Sequence, residues 1–170
     1  MKSDLANLGI PQFQLSCSNK AGVFEALEWC ANRVATANFV LHFTAHGDKD
    51  GIWLNATNEF IPWHDFGSSL RYLNQKMKGN LVVNMLACKG IFGVSIQNLE
   101  NPSDPFFGII GPLEDIEFDQ AKRVAKMFYE EMRNAMDIPD IVKKINDTEG
   151  TEVLWCHSSQ LRRQRSGQGE

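Results

Sequence analysis

The sequence predicts an α/β fold with a mostly parallel central sheet. Three observations predict it. Two apolar, partly β-branched runs, 38–45 and 81–88, read as strands buried on both faces. Between them, Phe66, Leu70, Leu73 and Met77 repeat at helical spacing, giving a crossover long enough to join neighbouring parallel strands. After them, strand and helix signals keep alternating, which is the pattern of helices packed on a parallel sheet.

In chain order, residues 12–18 alternate, with Phe13, Leu15 and Cys17 on one side, and read as a short strand. Val23, Ala26, Leu27, Cys30 and Val34 mark a helix over 23–34. The first key strand follows and ends at His46-Gly47. Asp48-Lys49-Asp50-Gly51 has hairpin chemistry, with Ile52-Trp53-Leu54 a short strand beyond it. Ile61-Pro62-Trp63 leads into a helix over 64–76, which Gly79-Asn80 ends. The second key strand ends at Cys88-Lys89-Gly90. Residues 90–105, with Asn98, Asn101, Pro102, Asp104 and Pro105, read as loop, and 106–113 as a third buried strand. Asp119 reads as the N-cap of a helix carrying Ala121, Val124, Ala125, Phe128 and Met132. Ile138, Ile141, Val142 and Ile145 mark another, with Pro139 in its first turn. Val153-Leu154-Trp155 reads as a last strand. The expected organisation is one domain over 1–158 and a flexible tail over 159–170.

Composition bounds the function. A chain of 170 residues holds one domain with a sizeable core. A net charge of −4 argues against general nucleic-acid binding, and the Arg162, Arg163 and Arg165 cluster sits in the tail. No signal peptide and no membrane-length apolar run is visible, so a cytoplasmic protein with no membrane partner is expected. The cysteines Cys17, Cys30, Cys88 and Cys156 show no C-x-x-C spacing, so neither structural zinc nor disulfides are expected. Cys17 and Cys30 read as small core residues, and Cys156-His157 as late-strand or loop residues. His42 stands four residues before His46, but on a strand, so packing rather than metal binding is expected.

The chemistry lies at the two strand ends. In parallel sheets reactive residues gather at the carboxyl ends of strands, where His46 and Cys88 both fall. A cysteine acts as thiolate, and a neighbouring histidine takes its proton and later protonates the leaving amine. Backbone N–H groups of Gly47 and Cys88 are placed to form an oxyanion hole. Alone, Cys88 reads as a core thiol and His46 as a turn residue. The doubled pattern, strand-His-Gly and strand-Cys-x-Gly, favours a dyad that needs no metal or cofactor.

Ala45-His46-Gly47 and Ala87-Cys88-Lys89-Gly90 resemble the His-Gly and Ala-Cys-x-Gly motifs of the caspase-like cysteine peptidases. The CHAT branch is the nearer likeness, through Ile61-Pro62-Trp63, Phe107-Gly108-Ile109-Ile110-Gly111 and the helix from Asp119 to Tyr129. The resemblance covers about residues 12–146. It implies a caspase-like three-layer α-β-α sandwich with a mostly parallel sheet. It also implies a cysteine endopeptidase acting on a protein substrate through His46 and Cys88, with Gly47 in the oxyanion hole. In prokaryotes such proteins often serve stress or anti-phage responses. They are usually fused to repeats or regulators, so a regulatory protein partner is expected here. The caspase glutamine two residues before the cysteine is Leu86, which implies a substrate pocket suited to an apolar or small residue. The alternatives are that Leu86 packs the sheet while Glu114 or Asp115 supplies pocket charge, that the chain is a non-catalytic interaction module of the same fold, or that it is a flavodoxin-like ligand-binding domain. The last lacks a Gly-rich phosphate loop after its first strand.

Overall fold

The computed structural model describes residues 9–34, 39–97 and 103–158. The expected tail with its arginines, and Asn98, Asn101 and Pro102, lie outside them. Helix α1 (Lys20–Ala31) starts where the Asn19 side chain accepts a hydrogen bond from the Gly22 N–H at 2.8 Å. Strand β1 (Val40–Gly47) turns into β2 (Gly51–Leu54) and β3 (Glu59–Pro62). A 3-10 turn (Trp63–Phe66) leads into α2 (Gly67–Lys76), then β4 (Val82–Ala87), a second 3-10 stretch (Gly90–Ile96) and β5 (Gly108–Gly111). Helices α3 (Phe118–Arg133) and α4 (Ile138–Glu149) follow, and β6 (Trp155–Ser158) closes the sheet.

The strand order is β3-β2-β1-β4-β5-β6. The centre, β1-β4-β5, is parallel, while β2, β3 and β6 join antiparallel. The sheet is therefore mixed rather than mostly parallel. The short turns at 48–50 and 55–58 return the chain directly beside itself, which only antiparallel pairing allows.

Alternation along the central strands feeds two cores. Val83, Met85 and Ile109 pack with Val23 and Leu27 of α1 and Leu70 and Leu73 of α2. Their neighbours Leu86 and Ile110 point the other way, onto Val124 and Phe128 of α3 and Ile141 and Ile145 of α4. Helices thus cover both faces, giving three layers. Asn146 clamps the entry to β6, donating to the Leu154 carbonyl at 2.8 Å and accepting from its N–H at 2.9 Å. Among the described residues, no helix is long and apolar enough to cross a membrane.

Three local expectations change. Residues 12–18 form no strand: Phe13 is 82 % exposed and meets Trp29 edge-on at 5.6 Å, so the alternation reflects a local contact with α1 rather than pairing. The N-cap position of α3 is Glu117, whose carbonyl accepts from the Ala121 N–H at 2.8 Å. Asp119 falls in the first turn, where its charge suits the helix dipole. Val153 and Leu154 are buried ahead of β6 rather than within it.

Candidate active site

The site is built by the register of the two central strands. Parallel partners run from Val40↔Val82 to Ala45↔Ala87. One step further lie His46 and Cys88. Alternation turns both to the face that carries His42, Thr44, Asn84 and Leu86. His46 is exposed and Cys88 half-buried. Among the described residues no hydrogen bond joins them; the thiol donates instead to the Ile116 carbonyl across a long 3.8 Å.

Both glycines behind the motif residues answer close approaches of backbone. A Cβ on Gly47 would lie 2.6 Å from the Cys88 carbonyl oxygen, so the two strand ends abut. The Asp48 N–H donates to the Gly51 carbonyl at 2.9 Å, toward β2. Strand alternation therefore turns the Gly47 N–H the other way, toward the end of β4. Beyond Cys88, Lys89 takes the left-handed conformation (φ 56°) and Gly90 folds back so tightly that a Cβ there would clash with the Met85 carbonyl. This turn leans on residues 112–116. Lys89 N–H donates to the Glu114 carbonyl at 3.1 Å, Ile91 N–H to the Pro112 carbonyl at 3.1 Å, and Lys89 Nζ to Asp115 at 2.8 Å. The Asp115 carboxylate raises the Lys89 pKa, chiefly by that hydrogen bond.

Leu86 shares the face of Cys88 but is only 2 % exposed and sits in the core under α3. It packs the sheet and does not line an open pocket, because α3 covers β4 up to that residue. The thiol's hydrogen-bond partner lies in the 112–117 segment, where Asp115 is paired with Lys89 and Glu114 is exposed.

Behind the strand ends lies a polar row that the sequence reading did not find. Asn84, 1 % exposed, hydrogen-bonds the Tyr129 hydroxyl, which lies 2.9 Å from His42 Nδ1; His42 Nε2 lies 3.1 Å from Thr44 Oγ1. With the Asn84 amide donating, Tyr129 O–H donates to Nδ1, which leaves the proton on Nε2 to donate to Thr44. Burial lowers the His42 pKa to about 4 and raises that of Tyr129, so both are neutral at pH 7. His42 is thus a packed strand residue with both ring nitrogens engaged. Among the described residues, no group of three or more His, Cys, Asp or Glu could hold a metal ion. Cys17, Cys30 and Cys156 are partly buried free thiols, and burial pushes each pKa up.

On the other side of His46 stands Trp53, its partner across the hairpin, paired in turn with Phe60. The signal for Trp53 was present: the Asp48 to Gly51 turn fixes the hairpin register, and counting outward from it reaches His46 opposite Trp53. Phe60 was out of reach, because β3 itself was not legible. No family model matches the chain, and no curated protein matches it either.

Proposed function

We propose that the chain is a cysteine endopeptidase that cleaves a protein substrate through His46 and Cys88. One observation carries the reading: the histidine and the cysteine follow the last register pair of adjacent parallel strands, on one face, with Gly47 abutting the Cys88 carbonyl. In the reaction, His46 takes the thiol proton and Sγ bonds to the substrate carbonyl carbon. The oxyanion is met by the N–H groups of Gly47 and Cys88. The C–N bond then breaks, and His46 gives its proton to the leaving amine. A water attacks the thioester with His46 as base, the C–S bond breaks, and acid and free thiol are released. No metal or cofactor takes part. The resemblance to the CHAT branch supports a regulated peptidase with a protein partner, in a prokaryotic stress or anti-phage setting.

A non-catalytic module is the second reading, favoured by the resting thiol's bond to Ile116 rather than to His46. One experiment separates the two. Full-length protein is treated with a peptide electrophile, and hydrolysis of a quenched peptide library is followed. The peptidase reading expects selective labelling of Cys88. It also expects a loss of about a thousandfold or more in kcat/KM for Cys88→Ala and His46→Ala, with both variants folded. Near wild-type turnover in either variant, or a Cys88 labelled no faster than Cys17, Cys30 and Cys156, sinks it.

A further inference from the structure

Phe60, Trp53 and His46 are successive register partners across β3, β2 and β1, and Cys88 follows at the end of β4. Register partners point to the same face, so the four side chains form one row across the sheet. Their neighbours Ile52, Leu54 and Ile61 point the opposite way and are buried in the core beneath α1 and α2. Trp53 stays 40 % exposed, because the core under α3 and α4 includes no residue of β2 or β3.

Trp53 is also held in place. Its ring lies 4.9 Å from that of Phe60, and its Nε1 donates to Asp48 Oδ2 at 3.4 Å. Asp48 Oδ1 accepts from the N–H groups of Asp50 at 2.8 Å and Gly51 at 3.1 Å, fixing the turn. From the core side, Trp63 Nε1 donates to the Lys49 carbonyl at 3.0 Å and Trp63 N–H to the Asp50 carbonyl at 3.0 Å. An exposed Trp53 backed by the half-buried Phe60 on so constrained a hairpin is preorganised to receive an apolar group.

The chemistry of the row says which group. The carbonyl carbon bonds to Cys88, and the leaving nitrogen takes its proton from His46. The residue that carries this nitrogen therefore lies on the His46 side of the cysteine. Continuing in that direction, the next side chain of the row is Trp53. We infer that Trp53, backed by Phe60, determines specificity on the leaving-group side. It receives an aromatic or large aliphatic side chain on the residue immediately C-terminal to the scissile bond. The assignment rests on the His46 and Cys88 reading above.

The test uses the full chain and quenched peptides that vary at the positions before and after the cut. Wild type is expected to favour Phe or Leu over Gly after the cut by about tenfold, as a filled apolar site does. Trp53→Ala reduces that preference to about twofold and leaves the preference before the cut unchanged, while Trp53→Phe largely restores it. A merely structural role would shift both profiles together, and that result overturns the proposal. A second measurement is independent of turnover. In Cys88→Ala protein, the Trp53 indole resonance, assigned by its loss in Trp53→Phe, should move with added Phe-Ala amide and much less with Gly-Ala amide. Cys88 labelling with neither a flattened profile nor an indole shift overturns Trp53 alone. Absence of Cys88 labelling overturns the peptidase reading, and with it a leaving-group role for Trp53.

Discussion

His42 is the residue whose chemistry is most constrained by its surroundings. Both ring nitrogens are engaged, by Tyr129 and Thr44, and burial holds its pKa at about 4. In the unfolded chain it titrates near 6.5, so between those values the unfolded state binds the extra proton. The stability this represents is present above pH 6.5 and is lost as pH falls toward 4, by about 3 kcal/mol at the lower end. Urea unfolding at pH 7 and pH 4.5 should show the loss in wild type. His42→Gln, which cannot titrate, should show a smaller one, with the difference isolating His42 from the carboxylates. An equal loss in both proteins would refute the assignment. The two glycines of the motifs separate at the same scale. Gly90→Ala drives a Cβ into the Met85 carbonyl and should cost about 3 kcal/mol or more, read as a lower midpoint in denaturant. Gly47→Ala meets the Cys88 carbonyl at the strand ends and, on the proposed peptidase reading, should lower peptide turnover by a larger factor than it lowers stability.

At the scale of elements, the sequence was legible where a pattern is local. The runs at β1 and β4 are apolar because both faces are covered, and α3 and α4 show their buried faces at helical spacing. The turn at Asp48 to Gly51 announced the hairpin through side-chain chemistry alone. What failed depends on distant partners. Residues 12–18 alternate like a strand but find no strand to pair with, and β3 hides behind Pro62, which is tolerated because β3 lies at the sheet edge. The candidate dyad was legible from two short motifs. The Asn84, Tyr129 and His42 row was not, since Tyr129 joins it from a helix 87 residues beyond His42. Leu86 was placed on the correct face, but the reach of α3 over β4 could not be read from alternation.

The whole molecule is two cores that share one sheet. Cys30 packs at the edge of the core under α1 and α2, and Cys156 at the edge of the core under α3 and α4. Met85 and Leu86 are neighbours on one strand yet serve opposite cores, so opening either core strips one face of the strand on which the other packs. The domain should unfold in one transition. Pulsed alkylation of Cys30 and Cys156 across a urea series should give the same midpoint; midpoints that differ by more than the width of the transition would show that the layers unfold separately.

If His46 and Cys88 act as proposed, the pairing of β1 with β4 is also an error check on that pair. A slip of one residue between strands turns every side chain of the slipped strand to the other face. A chain folded in the wrong register would present Cys88 on one face and His46 on the other, with Leu86 exchanged for Met85 under α3. Such a molecule is both poorly packed and without a nucleophile–base pair. On the proposed peptidase reading, hydrolytic power is thus withheld from misfolded copies by the same geometry that fills the core.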